Sequence, residues 1–256
     1  MIKIENWEVA GFEAAIRGMR NPMNSWDRSD SCFMDNTEGE YHTILGDQGP
    51  SCFVDGGVDD VLIGEKDFSL MKSLAQAGTE HSKYRRMIMV WCDITAPLYW
   101  WKQFDTYKVG TVANSCSTMH KIAEKEFSID DFSHEHFNEL PSNHEIAKIL
   151  GHDFTLDADK FMSSNDAAWI STLVVIMLNR ARRLYLETKD KKYWWAMIQL
   201  LPESYNQKRT VMLSYEVLAS IYRQRKNHKL DEWHDFCDWI KGLPYSEVIT
   251  LDDDTE

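Results

Sequence analysis

The segment spanning residues 87–121 constrains the fold most, because a predicted strand, a helix and a polar segment follow one another in it. Residues 87–94 are mostly apolar and predict a strand. Pro97 suits the first turn of a helix, so a short aromatic helix is predicted over residues 98–106. The polar segment that follows is rich in hydroxyl and amide side chains: Thr111, Asn114, Ser115, Ser117 and Thr118. A rigid element followed by such a loop often forms a binding site, although many polar loops are plain connectors.

Apolar residues that recur with the helical period predict that helices dominate the rest of the chain. After a strand-like or extended lead, Phe12, Ala15, Ile16 and Met19 form one stripe of a helix. Further helices are predicted over residues 67–86, 167–189, 190–201, 208–226 and 230–241. With only a few strands beside them, these helices predict a helix-rich α+β fold.

The length of the chain favours one large domain. A chain of 256 residues buries about 75% of the surface that it exposes when unfolded, which is enough for a substantial core. Turn-forming residues are concentrated at about 21–66, and polar, acidic residues at about 121–166, so both stretches are interpreted as insertions. Short helical pieces are predicted within the second stretch, over residues 130–140 and 144–151. The acidic tail, residues 251–256, is expected to be disordered.

The net charge limits the partners of the protein. Forty-one acidic residues against 28 basic residues give a formal charge of −13, which disfavours binding to a nucleic-acid duplex or to an anionic membrane. A local basic pocket for a small anion remains compatible with this charge. The longest nearly apolar run, residues 167–178, is too short to span a bilayer.

Cysteine usage indicates a reducing compartment. The five cysteines are odd in number, scattered and free of any CxxC pair: Cys32, Cys52, Cys92, Cys116 and Cys237. This pattern disfavours both a disulfide framework and a zinc knuckle. The first 19 residues alternate charged and apolar side chains and do not resemble a signal peptide, so a cytoplasmic location is expected.

Three blocks of sequence carry a family pattern. Residues 103–111 read QFDTYKVGT, residues 200–225 read LLPESYNQKRTVMLSYEVLASIYRQR, and residues 232–234 read EWH. Placed after a strand and a short aromatic helix, these blocks resemble the flavin-dependent thymidylate synthases. That family has a signature Arg-His-Arg-x-x-Ser, then a loop with Asn, Glu, Ser and Arg, and later helices that carry arginine. The resemblance covers about residues 68–119 and 197–240.

The chain departs from the family pattern at defined positions. The signature is replaced by Thr106-Tyr107-Lys108-Val109-Gly110-Thr111. The loop after it is one residue longer, so either Ala113 or Asn114 stands for the asparagine of the family. His234 takes the place of a phosphate-binding arginine, and a histidine lacks the bidentate geometry of a guanidinium group.

The resemblance implies both a fold and a function. The fold is α+β and helix-rich, with a small, mostly antiparallel sheet. The activity is one-carbon transfer to C5 of a deoxyuridylate-like pyrimidine nucleotide, with FAD as cofactor, in a homotetramer whose active sites form between subunits. The alternatives are a non-catalytic protein that binds or sequesters a nucleotide on the same fold, and a structural or partner-binding protein.

The resemblance also implies roles for individual residues. The candidate catalytic hydrogen-bond donors are Thr111, Asn114 and Ser117. The candidate cofactor-binding residues are His81, Gln103 and Tyr107. The candidate substrate-binding residues are Lys108, Arg223, Arg225 and His234. For each of these cations the alternative is an exposed or salt-bridged surface charge.

Two further groups of reactive side chains have competing interpretations. Cys116 is a possible nucleophile if a nearby cation lowers the pKa of its thiol, but free cysteines are more often buried and inert. A metal site is not predicted, because the spacing of the histidines after residue 133 matches no known ligand rule: His134, His136, His144 and His152.

Two adjacent tryptophan pairs, Trp100-Trp101 and Trp194-Trp195, are expected to lie on helices. Neighbouring residues on a helix point in different directions, so one member of each pair is predicted to be in the core. The other member is a candidate stacking surface or subunit contact.

Overall fold

The computed structural model describes residues 2–35, 40–45, 61–137 and 166–251. Contacts between Cα atoms divide the chain into two compact units. Unit one comprises Met1–Lys3, Thr95–Phe104 and Ser115–Arg209. Unit two comprises Ile4–Ile94, Asp105–Asn114 and Thr210–Glu256. The single domain with two insertions stays a prediction, and residues 36–39, 46–60 and 138–165 of those insertions lie outside the described residues.

The described strands form two small sheets. The strands are β1 (Lys3–Ala10), β2 (Cys32–Asp35), β3 (Glu40–His42), β4 (Val61–Leu62), β5 (Met89–Pro97), β6 (Thr111–Ser115) and β7 (Asn206–Ser214). One sheet has the order β1-β5-β7-β6, and most of its residues belong to unit two. The other has the order β3-β2-β4, and β2 pairs with both neighbours in antiparallel fashion.

Two backbone hydrogen bonds give the relative direction of β5 and β7. The amide of Tyr215 donates to the carbonyl of Ile88 (3.0 Å), and the amide of Leu98 donates to the carbonyl of Tyr205 (3.0 Å). The residue number therefore rises along one strand while it falls along the other, which is the antiparallel arrangement. The predicted small antiparallel sheet is confirmed.

Helices make up most of the described structure, which confirms the helix-rich α+β class. They are α1 (Phe12–Arg20), α2 (Glu65–Gln76), α3 (Leu98–Phe104), α4 (Thr118–Lys121), α5 (Asp166–Thr188), α6 (Lys191–Leu200), α7 (Tyr215–Arg225), α8 (Asp231–Lys241) and α9 (Glu247–Thr250). Short 3₁₀ turns occur at Asn21–Met23, Trp26–Arg28, Lys83–Arg86 and Ile129–Asp131. Within the described part of the chain, no helix has the length and apolar character needed to cross a membrane.

The helices with a clear apolar stripe were predicted well. In α1, Phe12, Ala15, Ile16 and Met19 are all buried, as the stripe predicts. Helices α3, α5, α6 and α8 begin and end within two residues of their predicted bounds. Periodic burial is the strongest helix signal in a sequence, so this agreement has a physical basis.

Three predicted helices and one predicted loop were wrong. The helix predicted over residues 67–86 ends at Gln76, because Gly78 adopts φ 102 and the chain turns before the next 3₁₀ turn. The helix predicted over residues 208–226 is strand β7 followed by α7. Val211 and Leu213 are buried two residues apart as in a strand, and the Ser214 hydroxyl accepts from the Val217 amide (3.4 Å) to cap α7.

The polar loop predicted after α3 contains strand β6, Thr111–Ser115. Four of its five residues are exposed, so the alternating burial that reveals a strand is missing. The helix predicted over residues 130–140 was also wrong, because the 3₁₀ turn Ile129–Asp131 is followed by Phe132, which forms an antiparallel β-bridge with Tyr205. Residues 138–140, the helix predicted over residues 144–151 and tail residues 252–256 lie outside the described residues.

The core of unit one contains clusters of aromatic and aliphatic side chains. Leu178 of α5 and Met197 of α6 are completely buried and contact a cluster that includes Phe127 and Phe132. The expectation for the first tryptophan pair was wrong, since Trp100 and Trp101 are both buried. Trp100 stacks on Phe104, while the Trp101 indole donates to the carbonyl of Gln207 (2.9 Å), so both faces of α3 are covered. In the second pair, Trp195 is 46% exposed and Trp194 packs against the core cluster, as predicted.

A buried ion pair joins α1 and α2 within unit two. The Nε atom of Arg20 donates to Oδ1 of Asp67 at 2.6 Å, and both side chains are almost fully buried. The other carboxylate oxygen accepts from the hydroxyls of Ser29 (2.6 Å) and Ser31 (2.7 Å). The remaining guanidinium nitrogens donate to backbone carbonyls, one of them of Ser25 (3.0 Å). These contacts offset the cost of removing both charges from water.

Candidate functional site

A cavity of about 820 Å³ lies within unit two. Its walls come from helix α7, the end of α2, and the segment that follows α3. That segment contributes Tyr107 and Lys108, and α7 contributes Glu216, Ser220 and Arg223. The volume falls in the range of small-molecule binding sites. Three of the ten residues that the sequence predicts for the site therefore line this cavity: Tyr107, Lys108 and Arg223.

Gly110 allows this segment to approach α7 closely. Its φ of 78 lies in the left-handed region, and a Cβ atom at this position would stand 3.2 Å from Cγ2 of Val217. A side chain here would be strained in conformation and crowded against the helix. The glycine thus brings the chain that carries Lys108 next to the helix that carries Arg223.

Three cavity residues share one face of α7. Glu216, Ser220 and Arg223 are spaced i, i+4 and i+7, and all three line the cavity. The opposite side of the helix contributes Leu218 and Ile221, which are completely buried. Sequence reasoning missed Glu216 and Ser220. A predicted helix that starts at Tyr215 would have shown both residues on one polar stripe with Arg223.

One cation of the cavity is neutralised within the fold. The Nε atom of Arg85 lies 3.0 Å from Oε2 of Glu216, and both side chains are largely buried. Arg85 also donates to the carbonyl of Val248 (3.2 Å) and to the hydroxyl of Ser82 (3.1 Å). Because its carboxylate partner and two further acceptors hold it in place, Arg85 is a structural part of the cavity wall.

Lys108 and Arg223 have a different environment. Both side chains are exposed, and neither has a hydrogen-bond or ion-pair partner among the residues that the structure describes. Glu216 is the single acidic residue among the described residues that line the cavity, and Arg85 neutralises it. The cavity therefore carries a local positive charge on a chain whose formal charge is −13. Such an arrangement attracts a small anion.

Tyr107 and Arg225 bind each other. The Nε atom of Arg225 donates to the Tyr107 hydroxyl at 2.9 Å, and this hydroxyl donates to Oε1 of Gln224 at 3.1 Å. The guanidinium group also lies 4.8 Å from the ring centroid of Trp233. Arg225 is absent from the cavity lining, so the geometry favours a positioning role for it over direct contact with a ligand.

The remaining nominated residues do not line this cavity. His81 is exposed and lines a second cavity of unit two, of about 770 Å³, and His234 is exposed on α8. Thr111 and Asn114 lie on β6, where the Thr111 hydroxyl is buried without a hydrogen-bond partner among the described residues. Gln103 and Ser117 belong to unit one, and the Ser117 hydroxyl caps α4 by accepting from the His120 amide (3.1 Å). The three candidate catalytic residues are thus divided between the two units.

The cysteines differ in exposure. Cys116 is exposed, and three others are buried: Cys32, Cys92 and Cys237. Burial raises the pKa of the Cys92 thiol to about 12, so this thiol is unreactive at neutral pH. Cys52 lies outside the described residues. The nucleophilic role of Cys116 stays a hypothesis. Lys121, a cation five residues further along the chain, is paired with Glu124.

The histidines considered as metal ligands have other surroundings. Nδ1 of His134 lies 2.8 Å from the carbonyl oxygen of Phe132, which is a local contact. His144 and His152 lie outside the described residues. Across residues 2–35, 40–45, 61–137 and 166–251, no three His, Cys, Asp or Glu side chains come together as a metal site would require.

The donor set of the cavity fits a phosphate group. A lysine and an arginine are the side chains that proteins use for phosphate, and neutral groups for a sugar or base are supplied by Gln76, Thr79 and Ser220. The fit to FAD extends to its pyrophosphate. For the flavin ring, the available aromatic side chain is Tyr107, whose hydroxyl already bonds to Arg225 and Gln224.

Comparison with known proteins supports the fold. No protein-family model matches the chain, and no curated protein matches it in sequence. Among solved structures, the chain is similar to thymidylate synthase X (ThyX) from Helicobacter pylori with FAD and dUMP, with a TM-score of 0.58 and 16% sequence identity. The similarity covers 99% of this chain and 98% of the other. A second structure of the flavin-dependent thymidylate synthase ThyX from Helicobacter pylori, complexed with FAD and dUMP, gives 0.57 and 17%, with 98% of each chain covered. At this identity the similarity shows a ThyX-like α+β fold.

Proposed function

We propose that the protein is a pyrimidine-nucleotide-modifying enzyme related to the flavin-dependent thymidylate synthases. We further propose that the 820 Å³ cavity of unit two binds the phosphate of its nucleotide. The observation that carries this proposal is the pair of cations, Lys108 and Arg223, which line a cavity of ligand size without a described partner. The ThyX-like fold supports the same class of ligand, because both structural neighbours contain dUMP and FAD.

The chain supplies distinct groups for such a ligand. Arg223 offers a planar fork for two phosphate oxygens, and Lys108 offers a compact charge beside it. Gln76, Thr79 and Ser220 provide hydrogen bonds to the polar edges of the nucleotide. Thr111 and Asn114 are proposed as donors that polarise the pyrimidine ring during one-carbon transfer to C5. Bound FAD, when reduced, would supply the hydride for this reaction.

The remaining parts of the proposal follow from the resemblance. His81, Gln103 and Tyr107 are proposed for the cofactor, and Ser117 for catalysis. On the substrate side, His234 is proposed to bind the ligand and Arg225 to position Tyr107. A cytoplasmic homotetramer is proposed as the working form.

One observation favours a second candidate, a nucleotide-binding or sequestering protein without flavin chemistry. Tyr107 stands inside the segment that replaces the family signature, and its hydroxyl is used by Arg225 and Gln224. A hydroxyl that is already hydrogen-bonded within the protein supports the cavity wall and is less available to bind a cofactor. The two candidates share the phosphate site and differ in flavin binding.

Calorimetric titration with dUMP tests the phosphate site. Replacing Lys108 or Arg223 with alanine is expected to weaken dUMP binding by about tenfold or more, since each change removes a charged hydrogen bond. Arg86→Ala is the matched control, because Arg86 is an exposed cation of the same unit that lines neither cavity. Equal affinity of all three variants and the unchanged protein would remove the cavity from the proposal.

An absorbance scan from about 300 to 500 nm separates the two candidates. The purified protein is mixed with excess FAD and passed through a gel-filtration column. A flavin band that stays with the protein supports the enzyme and leads to turnover assays with dUMP and a folate. Tight dUMP binding with a clean trace supports the nucleotide-binding alternative.

A further inference from the structure

A cavity in unit one is lined by aromatic rings and amino groups that the proposed function does not use. Its volume is about 540 Å³, and it lies between α4 and the pair of helices α5 and α6. Ile122 and Ala123, both buried, contribute to its apolar wall. Tyr185 of α5 and Trp194 of α6 supply the aromatic surface. This volume lies within the range of small-molecule sites.

The aromatic surface is held in a fixed orientation. The indole nitrogen of Trp194 donates to the carbonyl of Met119 at 3.1 Å. The ring of Trp195 meets that of Trp194 edge to face, with centroids 5.0 Å apart. Trp194 also packs against the core cluster of unit one. A tryptophan fixed in this way presents a preformed contact surface to a planar ligand.

Two lysines stand beside these rings. Nζ of Lys189 lies 5.9 Å from the ring centroid of Tyr185, and Nζ of Lys191 lies 6.0 Å from that of Trp194. Neither amino group has a carboxylate partner among the described residues, because the intervening Asp190 pairs with Lys192 (2.8 Å). No described lining residue is acidic, and His120 adds a further polar side chain.

The backbone at Lys189 brings the two lysines to the same cavity. Lys189 has φ 56, in the left-handed region, where α5 ends and the chain turns into α6. Glycine or asparagine is the usual residue at such a helix end, so a lysine here has a conformational cost. Its side chain is placed at the cavity together with that of Lys191.

We propose that this cavity binds a planar aromatic anion, a flat conjugated ring that carries a carboxylate or a phosphate. The ring contacts Trp194 and Tyr185, while the anionic group binds the amino groups of Lys189 and Lys191. An anion is favoured over an uncharged apolar ligand because the two lysines have no described acidic partner. They place a local positive charge beside the aromatic rings on a chain of formal charge −13.

Calorimetric titration of the full chain with three probes tests this site. The probes are 1-naphthoate, 1-naphthyl phosphate and neutral 1-naphthol, which share the ring and differ in charge. At least one anion is expected to bind about tenfold more tightly than 1-naphthol, and the tighter anion identifies the carboxylate or the phosphate as the preferred group.

Variants locate the binding. The double variant Lys189→Ala, Lys191→Ala is expected to lose about tenfold in affinity for the preferred anion. Arg180→Ala is the matched control, because Arg180 is an exposed cation of α5 that does not line the cavity, and it is expected to bind within about twofold of the unchanged protein. The variants Lys108→Ala and Arg223→Ala are expected to bind the anion normally, which separates this site from the nucleotide cavity.

Three results would overturn the inference. The first is 1-naphthol binding as tightly as both anions, which would leave an apolar pocket or a protein-docking surface. The second is an equal loss in Arg180→Ala and in the double variant, which would indicate a general surface charge. The third is no binding of any probe at about millimolar concentration, the limit of weak ligand affinity.

Discussion

Two groups of cations in unit two have opposite surroundings. Arg20 is buried, and Asp67 and two backbone carbonyls accept hydrogen bonds from its guanidinium group. Lys108 and Arg223 are exposed at a cavity and have no described partner. A cation whose hydrogen-bonding capacity is filled inside the fold stabilises that fold, and a cation whose capacity is unfilled at a cavity is available to a ligand. The degree of internal pairing thus separates structural cations from candidate binding residues.

The largest loss of stability is expected when the buried and fully paired Arg20 loses its carboxylate partner. Asp67→Ala leaves the buried Arg20 without its carboxylate, so the free energy of unfolding should fall by about 3–5 kcal/mol. Urea unfolding, followed by circular dichroism, measures this loss. Asp238→Ala is the control, because the Asp238 carboxylate is exposed and pairs with Lys241 at the surface. A loss below 1 kcal/mol for Asp67→Ala, as expected for an ordinary surface position, would break the comparison.

Arg225 represents an intermediate degree of pairing. Arg225→Ala removes the hydrogen bond to the Tyr107 hydroxyl and the contact with the Trp233 ring, and it should lower the free energy of unfolding by about 1–2 kcal/mol. Urea titration with Arg223→Ala as the matched variant, two residues away, measures the difference. If both variants unfold at the same urea concentration, Arg225 does not position Tyr107 as proposed.

An exposed ion pair tests whether pairing alone is sufficient. Lys102 and Glu203 form a salt bridge in unit one, but both side chains are more than half exposed. Lys102→Ala should therefore change the free energy of unfolding by less than about 1 kcal/mol, because water screens the pair and solvates the partner that remains. A loss as large as that of Asp67→Ala would show that burial is not the deciding factor.

The smallest change in stability is expected for the cavity cations. The double variant Lys108→Ala, Arg223→Ala should unfold within about 0.5 kcal/mol of the unchanged protein. Because the same substitutions are expected to weaken dUMP binding, stability and affinity should respond independently. Thermal unfolding without ligand, compared with calorimetric titration, checks both quantities. A marked loss of stability would assign these two side chains to the fold.

The sequence predicted the elements whose burial follows a helical period. Helices α1 and α8 have apolar stripes that match their buried faces. Strand β6 was missed because its side chains are mostly exposed, so no alternation marks it. The sequence does not separate strand β7 from helix α7, because Ser214, the residue that caps α7, resembles any other serine in a polar segment.

The candidate site could be predicted in part. The family pattern predicts Lys108 and Arg223 as substrate-binding residues, and both line one cavity in the structure. The pairing of Arg85 with Glu216 joins residues 131 positions apart, and short-range patterns contain no information about it. The hydrogen bond between Arg225 and Tyr107 could not be predicted for the same reason. Which cation is already paired depends on long-range packing.

Helix α7 contributes both to the cavity proposed for the nucleotide and to the core of unit two. Leu218 and Ile221 on one side of α7 are completely buried, while Ser220 and Arg223 face the cavity, so unfolding of this helix would destroy the cavity together with part of the core. A ligand present at about 100 times its Kd would add about 2.7 kcal/mol to the free energy of that opening. Proteases act on the opened form, so degradation would slow as the ligand accumulates. The abundance of the protein would then follow the concentration of the molecule that it binds.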